Sequence, residues 1–175
     1  MNTITLITGG SRSGKSRYAL ELADKFNEKV FIATAEPIDS EMRDRIEKHK
    51  EERGKDYCTI EEPINVAKAI KSIPSATDVI ILDCLTVWLG NLLHRLKNKD
   101  DQEKEIHSLL DVLKNPPCGI ILVTNELGMG IVPENQLARH FRDAAGRLNQ
   151  ETASIADKVV LLVSGIPIVI KDFYS

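Results

Sequence analysis

The sequence predicts an α/β fold: a mostly parallel sheet flanked by helices, with an antiparallel hairpin at the C-terminus. Three observations support this class. Short apolar segments alternate with helical patterns, which is typical of parallel sheets covered by helices. A glycine-rich loop separates the first of these strands from the first helix. Near the C-terminus, two apolar segments are separated only by Ser164 and Gly165, which favours antiparallel pairing.

The first element is a buried strand around residues 4–7, which runs into the loop GGSRSGKS. This loop matches the phosphate-binding pattern G-x-x-x-x-G-K-[ST]. Its backbone N–H groups can face phosphate oxygens, Lys15 can reach the β- and γ-phosphates, and the Ser16 hydroxyl can bind Mg²⁺. A helix predicted at 17–26 adds the positive end of its dipole. We therefore predict a P-loop NTPase-like fold, with a nucleotide bound by Gly9, Gly10, Ser11, Arg12, Ser13, Gly14, Lys15 and Ser16.

The middle of the chain continues the alternation of strand and helix. Pro37 ends an extended segment, because the residue before a proline disfavours helix, and Pro63 suits the first turn of a helix. In order, we predict a strand at 29–33, a helix from Asp39 or Ser40 to about 53, a short strand at 58–61, a helix from Pro63 to about 73, a strand at 78–83 and a helix at 85–96.

The second half of the chain gives equally clear signals. The charged stretch 97–102 is predicted to be an exposed turn, and Pro116 and Pro117 break the helix before them. In order, we predict a helix ending near 113, a strand at 119–124, a mobile or substrate-facing loop at 127–133, a helix from Pro133 or Glu134 to about 155, and strands at 158–163 and 166–170.

Length and composition limit the class of protein. We expect one nucleotide-binding catalytic domain spanning residues 1–175, with 42% hydrophobic and 28% charged residues. A net charge of −3 gives no global basic excess, so we expect no nucleic-acid partner. Cys58, Cys84 and Cys118 lack metal-binding spacing and are expected to be reduced thiols of a cytoplasmic protein. We expect no targeting segment and no membrane span.

Asp83 ends a strongly apolar strand, at the edge where parallel sheets bind their ligands. A carboxylate at this edge, together with the Ser16 hydroxyl, suits a Mg²⁺ ion held beside nucleotide phosphates. A cap for the helix that begins at Leu85 explains the same residue. The preceding glycine-rich loop favours the magnesium interpretation.

His49 is the candidate nucleophile of the helix predicted to end near residue 53. It shares a face with Met42 and Ile46, and Arg45 and Arg53 lie one turn away on either side. Nearby cations favour the neutral, nucleophilic imidazole and could hold a phosphate against it. The residues alone leave the role open, because a single helix histidine is more typical of a surface or packing residue.

Two further polar segments follow predicted strands. Asn125 and Glu126 could position a substrate or a water molecule, or could cap a turn. Glu61 and Glu62, just before Pro63, could accept hydrogen bonds from ribose or guanine, or could favour the start of a helix.

Motifs spread over nearly the whole chain point to one enzyme family. They are GGSRSGKSRYA, ATAEP, DSEMRDRIEKHKEERG, TIEEP, ILDCLTVWLGNLL, VTNELGMGIVPENQLARHFRDAAGRLNQ and LLVSGIP. Together they resemble the bifunctional adenosylcobinamide kinase / adenosylcobinamide-phosphate guanylyltransferase of cobalamin biosynthesis. The phosphate loop alone would be unspecific, whereas the spacing of Arg45, His49 and Arg53 and the long VTNELG segment are highly specific.

The resemblance implies two reactions. The first phosphorylates the aminopropanol hydroxyl of adenosylcobinamide with ATP or GTP. The second transfers GMP from GTP to adenosylcobinamide phosphate through a covalent histidine–GMP intermediate, giving adenosyl-GDP-cobinamide. The position that matches this histidine is His49. The resemblance also implies a homotrimer, for which the helix at 85–93 and the final hairpin are candidate contact surfaces.

Carried over by position, the resemblance extends the site beyond the loop. It assigns catalysis to Lys15 and His49, and Mg²⁺ binding to Ser16 and Asp83. The chain has Tyr57 where some family members have tryptophan, which keeps an aromatic ring at that position. Further nucleotide contacts are expected at Ala33, Thr34, Ala35, Lys50, Glu51, Glu52, Arg53, Glu61 and Asp83.

Two other functions fit the residues. One is a P-loop small-molecule kinase in which His49 is purely structural; the other is a nucleotide-gated binding protein without chemistry. A phosphate loop normally serves transfer of the γ-phosphate, whereas a histidine nucleophile needs the α-phosphate. Hinge movement of the helix between Pro37 and Gly54, or two nucleotide poses, would reconcile the two requirements.

Overall fold

The strands of the protein form one sheet. The computed structural model describes residues 2–53 and 56–173. Within these ranges, the sheet contains seven strands in the order β3-β2-β4-β5-β1-β6-β7. The strands are β1 (Ile4–Gly9), β2 (Lys29–Ala33), β3 (Tyr57–Glu61), β4 (Val79–Asp83), β5 (Gly119–Val123), β6 (Lys158–Val163) and β7 (Ile166–Asp172).

All neighbouring strands from β3 to β6 pair in parallel, and β7 pairs antiparallel with β6. The predicted fold class, including the C-terminal hairpin, is therefore confirmed. The register places Ala33 of β2 between Glu61 of β3 and Asp83 of β4. Because parallel strands end at a common edge, the polar residues that follow them collect beside the glycine-rich loop.

Helices cover both faces of the sheet. In the described residues they are α1 (Lys15–Ala23), α2 (Ser40–Arg53), α3 (Val66–Lys71), α4 (Leu85–Arg95), α5 (Lys99–Lys114) and α6 (Gln136–Ile155). The apolar sides of α3, α4, α5 and α6 pack on one face of the sheet, where Trp88 is fully buried and donates its Nε1–H to the Ile64 carbonyl at 2.8 Å. Helix α1 packs on the opposite face through Ala19 and Ala23.

Side-chain capping moves two helix starts from their predicted positions. Helix α3 begins at Val66 instead of Pro63, because the Glu62 carboxylate accepts hydrogen bonds from the backbone of Ile64 and Asn65 and holds a turn there. Helix α6 begins at Gln136 rather than at residue 133 or 134, after the Asn135 side chain accepts from the Ala138 N–H. Both shifts follow from local side-chain to backbone bonds.

The predicted turn at 97–102 is wrong for most of its length, because α5 already begins at Lys99. Asn98 caps this helix by accepting a hydrogen bond from the Asp100 N–H at 3.1 Å. Asp100 and Asp101 lie in the first turn, where carboxylates are favoured by the helix dipole. The charged residues of this stretch therefore form the start of a helix.

The apolar stripe of α4 belongs to the core, which corrects its proposed role as a contact surface between subunits. Leu85, Trp88, Leu89 and Leu92 are each at most 1% exposed. In contrast, β7 exposes several apolar side chains, including Ile166 and Ile170. The hairpin, unlike the apolar stripe of α4, therefore remains a candidate contact surface between subunits.

Cys58, Cys84 and Cys118 are all free thiols, as predicted, and the last two are buried. Burial raises the pKa of Cys84 to about 12 and that of Cys118 to about 11, so both are protonated near neutral pH. In the part of the chain described, no helix combines the length and apolarity needed to cross a membrane.

Candidate active site

The phosphate loop folds around the first residue of α1. Lys15 is only 7% exposed, and its ammonium group donates to the Gly10 carbonyl at 2.6 Å and to Ser13 Oγ at 3.4 Å. Gly14, with φ of 96°, provides the left-handed conformation that turns the loop into the helix. The cation is thus held within the curve of backbone that a phosphate would occupy.

The neighbouring strands fix this loop in place. A Cβ atom on Gly9, where φ is 150°, would lie 2.5 Å from the Leu162 carbonyl oxygen, so the position requires glycine. The Gly165 N–H donates to the Ser13 carbonyl at 3.0 Å, and the Glu126 N–H donates to the Gly9 carbonyl at 3.0 Å. The loop is therefore supported by the β6–β7 turn and by the segment after β5.

A cavity of about 310 Å³ opens beside the loop. It lies between the start of α1, the ends of β2, β3 and β4, the start of α4 and the inner side of α2. His49 lines the same cavity as Ser16 and Asp83. The sequence-predicted residues that line it are Ser16, Ala33, Ala35, His49, Lys50, Arg53, Glu61 and Asp83.

Cations from the C-terminal half of α2 line one wall. Lys50 Nζ lies 2.6 Å from Glu61 Oε1, in a largely exposed ion pair that joins α2 to β3. Arg53 is 8% exposed and donates from Nε to the His49 carbonyl at 3.1 Å. Desolvation lowers the pKa of Arg53, opposed by the carboxylates of Asp83 and Glu61, and a guanidinium remains charged at all physiological pH values.

Thr34 does not line the cavity. It is fully buried, its hydroxyl donates to the Cys84 carbonyl, and the Cys84 N–H donates back to it, both at 2.9 Å. Its N–H donates to the Asp83 carbonyl, and its own carbonyl accepts from Asn91 Nδ2 at 2.8 Å. These bonds tie the end of β2 to β4 and so hold Asp83 in position.

Other residues predicted to act in or near the site lie in α2 or directly after it. Glu51 is exposed and does not line the cavity. The side chains of Arg45 and Glu52, and the whole of Gly54, lie outside the described part of the structure. The predicted hinge at Gly54 stays a prediction.

The segment after β5 is held by hydrogen bonds within the protein. Thr86 Oγ1 accepts from the Asn125 N–H at 2.8 Å, and Asn149 Nδ2 donates to the Asn125 carbonyl at 3.1 Å. The Glu126 carboxylate accepts from the Gly128 N–H at 2.7 Å. For Glu126, this contact is that of a turn cap, one of the two interpretations that the sequence left open.

Sequence reasoning missed several apolar residues that line the cavity, among them Phe31, Met42 and Val87. For Phe31 a signal existed, because strand residues two apart share a face and Ala33 was already assigned to the site. For Met42 a signal also existed, because it shares a helix face with His49, whereas nothing in the sequence distinguished Val87 from ordinary core residues. These side chains add apolar surface to a cavity that also contains charged groups.

Oxygen donors suited to a divalent cation are present at the loop end of the cavity. The Ser16 hydroxyl and the Asp83 carboxylate both line it. Within residues 2–53 and 56–173, no group of three or more His, Cys, Asp or Glu side chains forms a metal cluster. This donor set fits Mg²⁺, which usually takes one or two protein ligands and completes its shell with phosphate oxygens and water.

Comparison with protein families identifies one match over most of the chain. A family model described as cobinamide kinase / cobinamide phosphate guanyltransferase matches residues 5–170. The bifunctional adenosylcobalamin biosynthesis protein CobU of Salmonella typhimurium is 43% identical over 95% of this chain and 98% of its own length. The corresponding protein CobP of Pseudomonas aeruginosa is 42% identical over 95% of this chain and 96% of its own length.

Solved structures with little sequence identity share the fold. An ATPase of a bacterial type III secretion system aligns with a TM-score of 0.51 and 14% identity, over 92% of this chain and 51% of its own. A RadB recombinase aligns with a TM-score of 0.50 and 14% identity, over 91% of this chain and 73% of its own. At this identity the likeness concerns the fold alone, and it agrees with the P-loop NTPase-like architecture predicted from the loop.

Proposed function

We propose how this chain, which belongs to the cobinamide kinase / cobinamide phosphate guanyltransferase family, carries out two successive reactions in one domain. The family makes it a bifunctional kinase and guanylyltransferase of cobalamin biosynthesis. In the first reaction, it phosphorylates the aminopropanol hydroxyl of adenosylcobinamide with ATP or GTP. In the second, it transfers GMP from GTP to adenosylcobinamide phosphate.

In the kinase step, the substrate hydroxyl oxygen attacks the γ-phosphorus. The bond from that phosphorus to the β,γ-bridging oxygen breaks, the nucleoside diphosphate leaves, and the hydroxyl proton is released. Lys15 and the loop N–H groups neutralise the charge that the phosphate oxygens carry. Ser16 and Asp83 would hold Mg²⁺, which supplies further charge neutralisation when bound.

In the guanylyl transfer, a nitrogen of the His49 imidazole attacks the α-phosphorus of GTP. The bond to the α,β-bridging oxygen breaks, pyrophosphate leaves, and the other ring nitrogen gives up its proton. A phosphate oxygen of adenosylcobinamide phosphate then attacks the same phosphorus, and the phosphorus–nitrogen bond breaks as the ring takes back a proton, which regenerates the neutral imidazole. Lys50 and Arg53 provide positive charge beside the reacting phosphate, and the covalent intermediate divides one displacement into two.

One observation carries this proposal: His49 lines the cavity that also contains Ser16 and Asp83. A nucleotide anchored at the loop would extend its phosphates along the wall that holds the imidazole. The cavity volume of about 310 Å³ falls at the lower end of the range for ligand sites.

Labelled nucleotide tests the covalent step. After incubation with GTP labelled at the α-phosphate, we expect a protein adduct that acid releases and base does not, as for a phosphorus–nitrogen bond. Addition of unlabelled adenosylcobinamide phosphate should move the label from the protein into adenosyl-GDP-cobinamide. His49→Ala should form no adduct and should retain kinase activity.

His107→Ala is a matched control, because His107 is also a helix histidine but lies on α5, away from this cavity. It should form the adduct at the wild-type rate. Guanylyl transfer by His49→Ala at the wild-type rate would reject His49 as the nucleophile. Absence of guanylyl transfer by the wild type would instead leave the alternative, a small-molecule kinase with a structural histidine.

A cytoplasmic homotrimer is the assembly that we propose for this enzyme. Apolar side chains exposed on the hairpin and on the loop before α6 support self-association, since large apolar side chains that are exposed together favour an interface. Ile131 is 96% exposed, Ile166 65% and Phe173 69%. Light scattering should give three times the monomer mass, and a monomer mass would reject the trimer.

A further inference from the structure

We infer that Phe31 and Arg53 form a stacked pair that positions His49 for attack, by fixing the last turn of α2 against the sheet. The Arg53 guanidinium lies 3.9 Å from the centre of the Phe31 ring. Its Nε–H donates to the His49 carbonyl at 3.1 Å. The Arg53 side chain thus connects strand β2 to His49, the residue proposed as the nucleophile. The inference rests on that proposed function.

The attachment of α2 is concentrated at this point. Among the α2 side chains that the structure describes, Arg53 alone is buried, whereas Met42, Ile46 and His49 are partly exposed. Another tie nearby is the Lys50–Glu61 pair, which is largely exposed and therefore weakened by solvent screening. Arg53 therefore supplies the buried contact of the last turn.

The Phe31 ring offers a rigid surface for that packing. Phe31 is 5% exposed and belongs to β2, which lies between β3 and β4, and its ring meets the Tyr57 ring edge-on at 6.2 Å between centres. A guanidinium stacked on an aromatic face is attracted by the negative face of the ring, most strongly when water is excluded. Desolvation of Arg53, which lowers its pKa, agrees with such a buried stack.

The geometry connects the stack to the chemistry. Residues 49 and 53 are one helical turn apart, so the side chain of Arg53 reaches back along the helix to the carbonyl that precedes Lys50. A small rotation of this turn would move the imidazole relative to the α-phosphorus, and a displacement of about 1 Å is expected to slow an attack by up to about a hundredfold. Phosphate transfer at the loop does not depend on this turn in the same way.

Two variants test the pair. Phe31→Leu removes the aromatic face and keeps an apolar side chain, and Arg53→Met keeps the stem and removes the guanidinium. Each should slow single-turnover formation of the GMP adduct about tenfold more than it slows phosphorylation of adenosylcobinamide. Because both act through one contact, the double variant should be no slower than the worse single variant.

A conservative variant of Arg53 and a control variant elsewhere distinguish a positioning role from a general loss of folding or activity. Arg53→Lys, which keeps a cation able to stack on Phe31, should recover part of the lost adduct rate. Lys25→Met breaks another cation–aromatic contact, in which Lys25 Nζ lies 5.2 Å from the centre of the Phe26 ring. It should leave both rates at the wild-type value.

A structural readout covers the case in which the wild type forms no adduct. Hydrogen exchange of the amides of residues 49–53 should be faster in Phe31→Leu and Arg53→Met than in the wild type. Equal loss of both activities, multiplicative effects in the double variant, or unchanged exchange would overturn the positioning role. Absence of the adduct in the wild type, with faster exchange in the variants, would reject the histidine mechanism and leave the anchoring role standing.

Discussion

The phosphate loop and helix α2 face each other across one cavity, yet they are held in very different ways. The loop is bonded to both neighbouring segments, through Gly165 to Ser13 and Glu126 to Gly9, and its lysine is buried. Helix α2 exposes most of its described side chains, and among these only Arg53, at its end, is buried. One side of the cavity is rigid, and the other is attached at one end.

This difference offers a physical answer to the problem of serving two phosphates. The rigid loop can hold the triphosphate in a fixed position for transfer of the γ-phosphate. Helix α2 is anchored next to His49, so its last turn holds the imidazole at a fixed place on the facing wall. The same cavity can then present the imidazole to the α-phosphorus without rebuilding the phosphate site.

The largest effect is expected on the rigid side, where Lys15→Ala removes the buried cation of the loop. Both reactions should fall by about 10²–10³-fold, because both need the phosphates anchored and neutralised. Steady-state assays of the kinase and the transferase measure this loss. Full kinase turnover in the variant would contradict the role of the loop, and Lys25→Ala, just beyond α1, should be silent.

Core truncation compares how the two sides are packed. Leu92→Ala in α4, at a fully buried position, should cost about 3 kcal/mol of unfolding free energy. Met42→Ala in α2, at a partly exposed position, should cost less than about 1 kcal/mol. Urea denaturation followed by circular dichroism measures both. Equal costs would mean that α2 is as firmly packed as the core helices.

Asp83→Asn tests the proposed Mg²⁺ site in the cavity between the loop and α2. It keeps the shape of the side chain but removes the charge. We therefore expect the apparent affinity for Mg²⁺ in the kinase reaction to fall about tenfold. Titration of activity with Mg²⁺ gives the apparent affinity. An unchanged titration curve would exclude Asp83 from the metal site, and Asp78→Asn, at the opposite end of β4, serves as the control.

The smallest effect concerns the hairpin that supports the loop. Lys158 Nζ donates to Asp172 at 2.8 Å, and this hydrogen bond raises the pKa of Lys158. The pair therefore contributes its stability below the unfolded lysine pKa of about 10.4 and loses it as the pH rises through the folded value. Since the pair is partly exposed, Lys158→Met should cost less than about 1 kcal/mol at pH 8. If the wild type and the variant lose stability equally between pH 9 and 12, as followed by thermal unfolding, the pair contributes nothing.

The parts of the fold with strong local signals could be predicted from the sequence. The loop, the buried strands and the hairpin follow from glycine spacing and from runs of β-branched residues. The helix starts at Val66 and Gln136 could not be placed, because they depend on single side-chain bonds from Glu62 and Asn135. Such bonds compete with helix formation over only two or three residues.

The cavity could be predicted only in part, for a similar reason. Ser16 follows from the loop motif, and Asp83 follows from the end of its strand, since topology brings the strand ends to one edge. The stack of Phe31 on Arg53 joins positions that are distant in sequence and carries no local signal. The bond between Asn149 and Asn125 has the same character. Contacts of this kind appear only when the sheet order is known.

Mapping the site of guanylylation tests the central claim most directly. After reaction with GTP and digestion under alkaline conditions, mass spectrometry should find GMP on one peptide that contains His49, attached through a phosphorus–nitrogen bond. The chain has four histidines, and the other three are His94, His107 and His140. Attachment to any of these, an oxygen-linked adduct, or no adduct at all would contradict an imidazole that acts across the cavity from the phosphate loop.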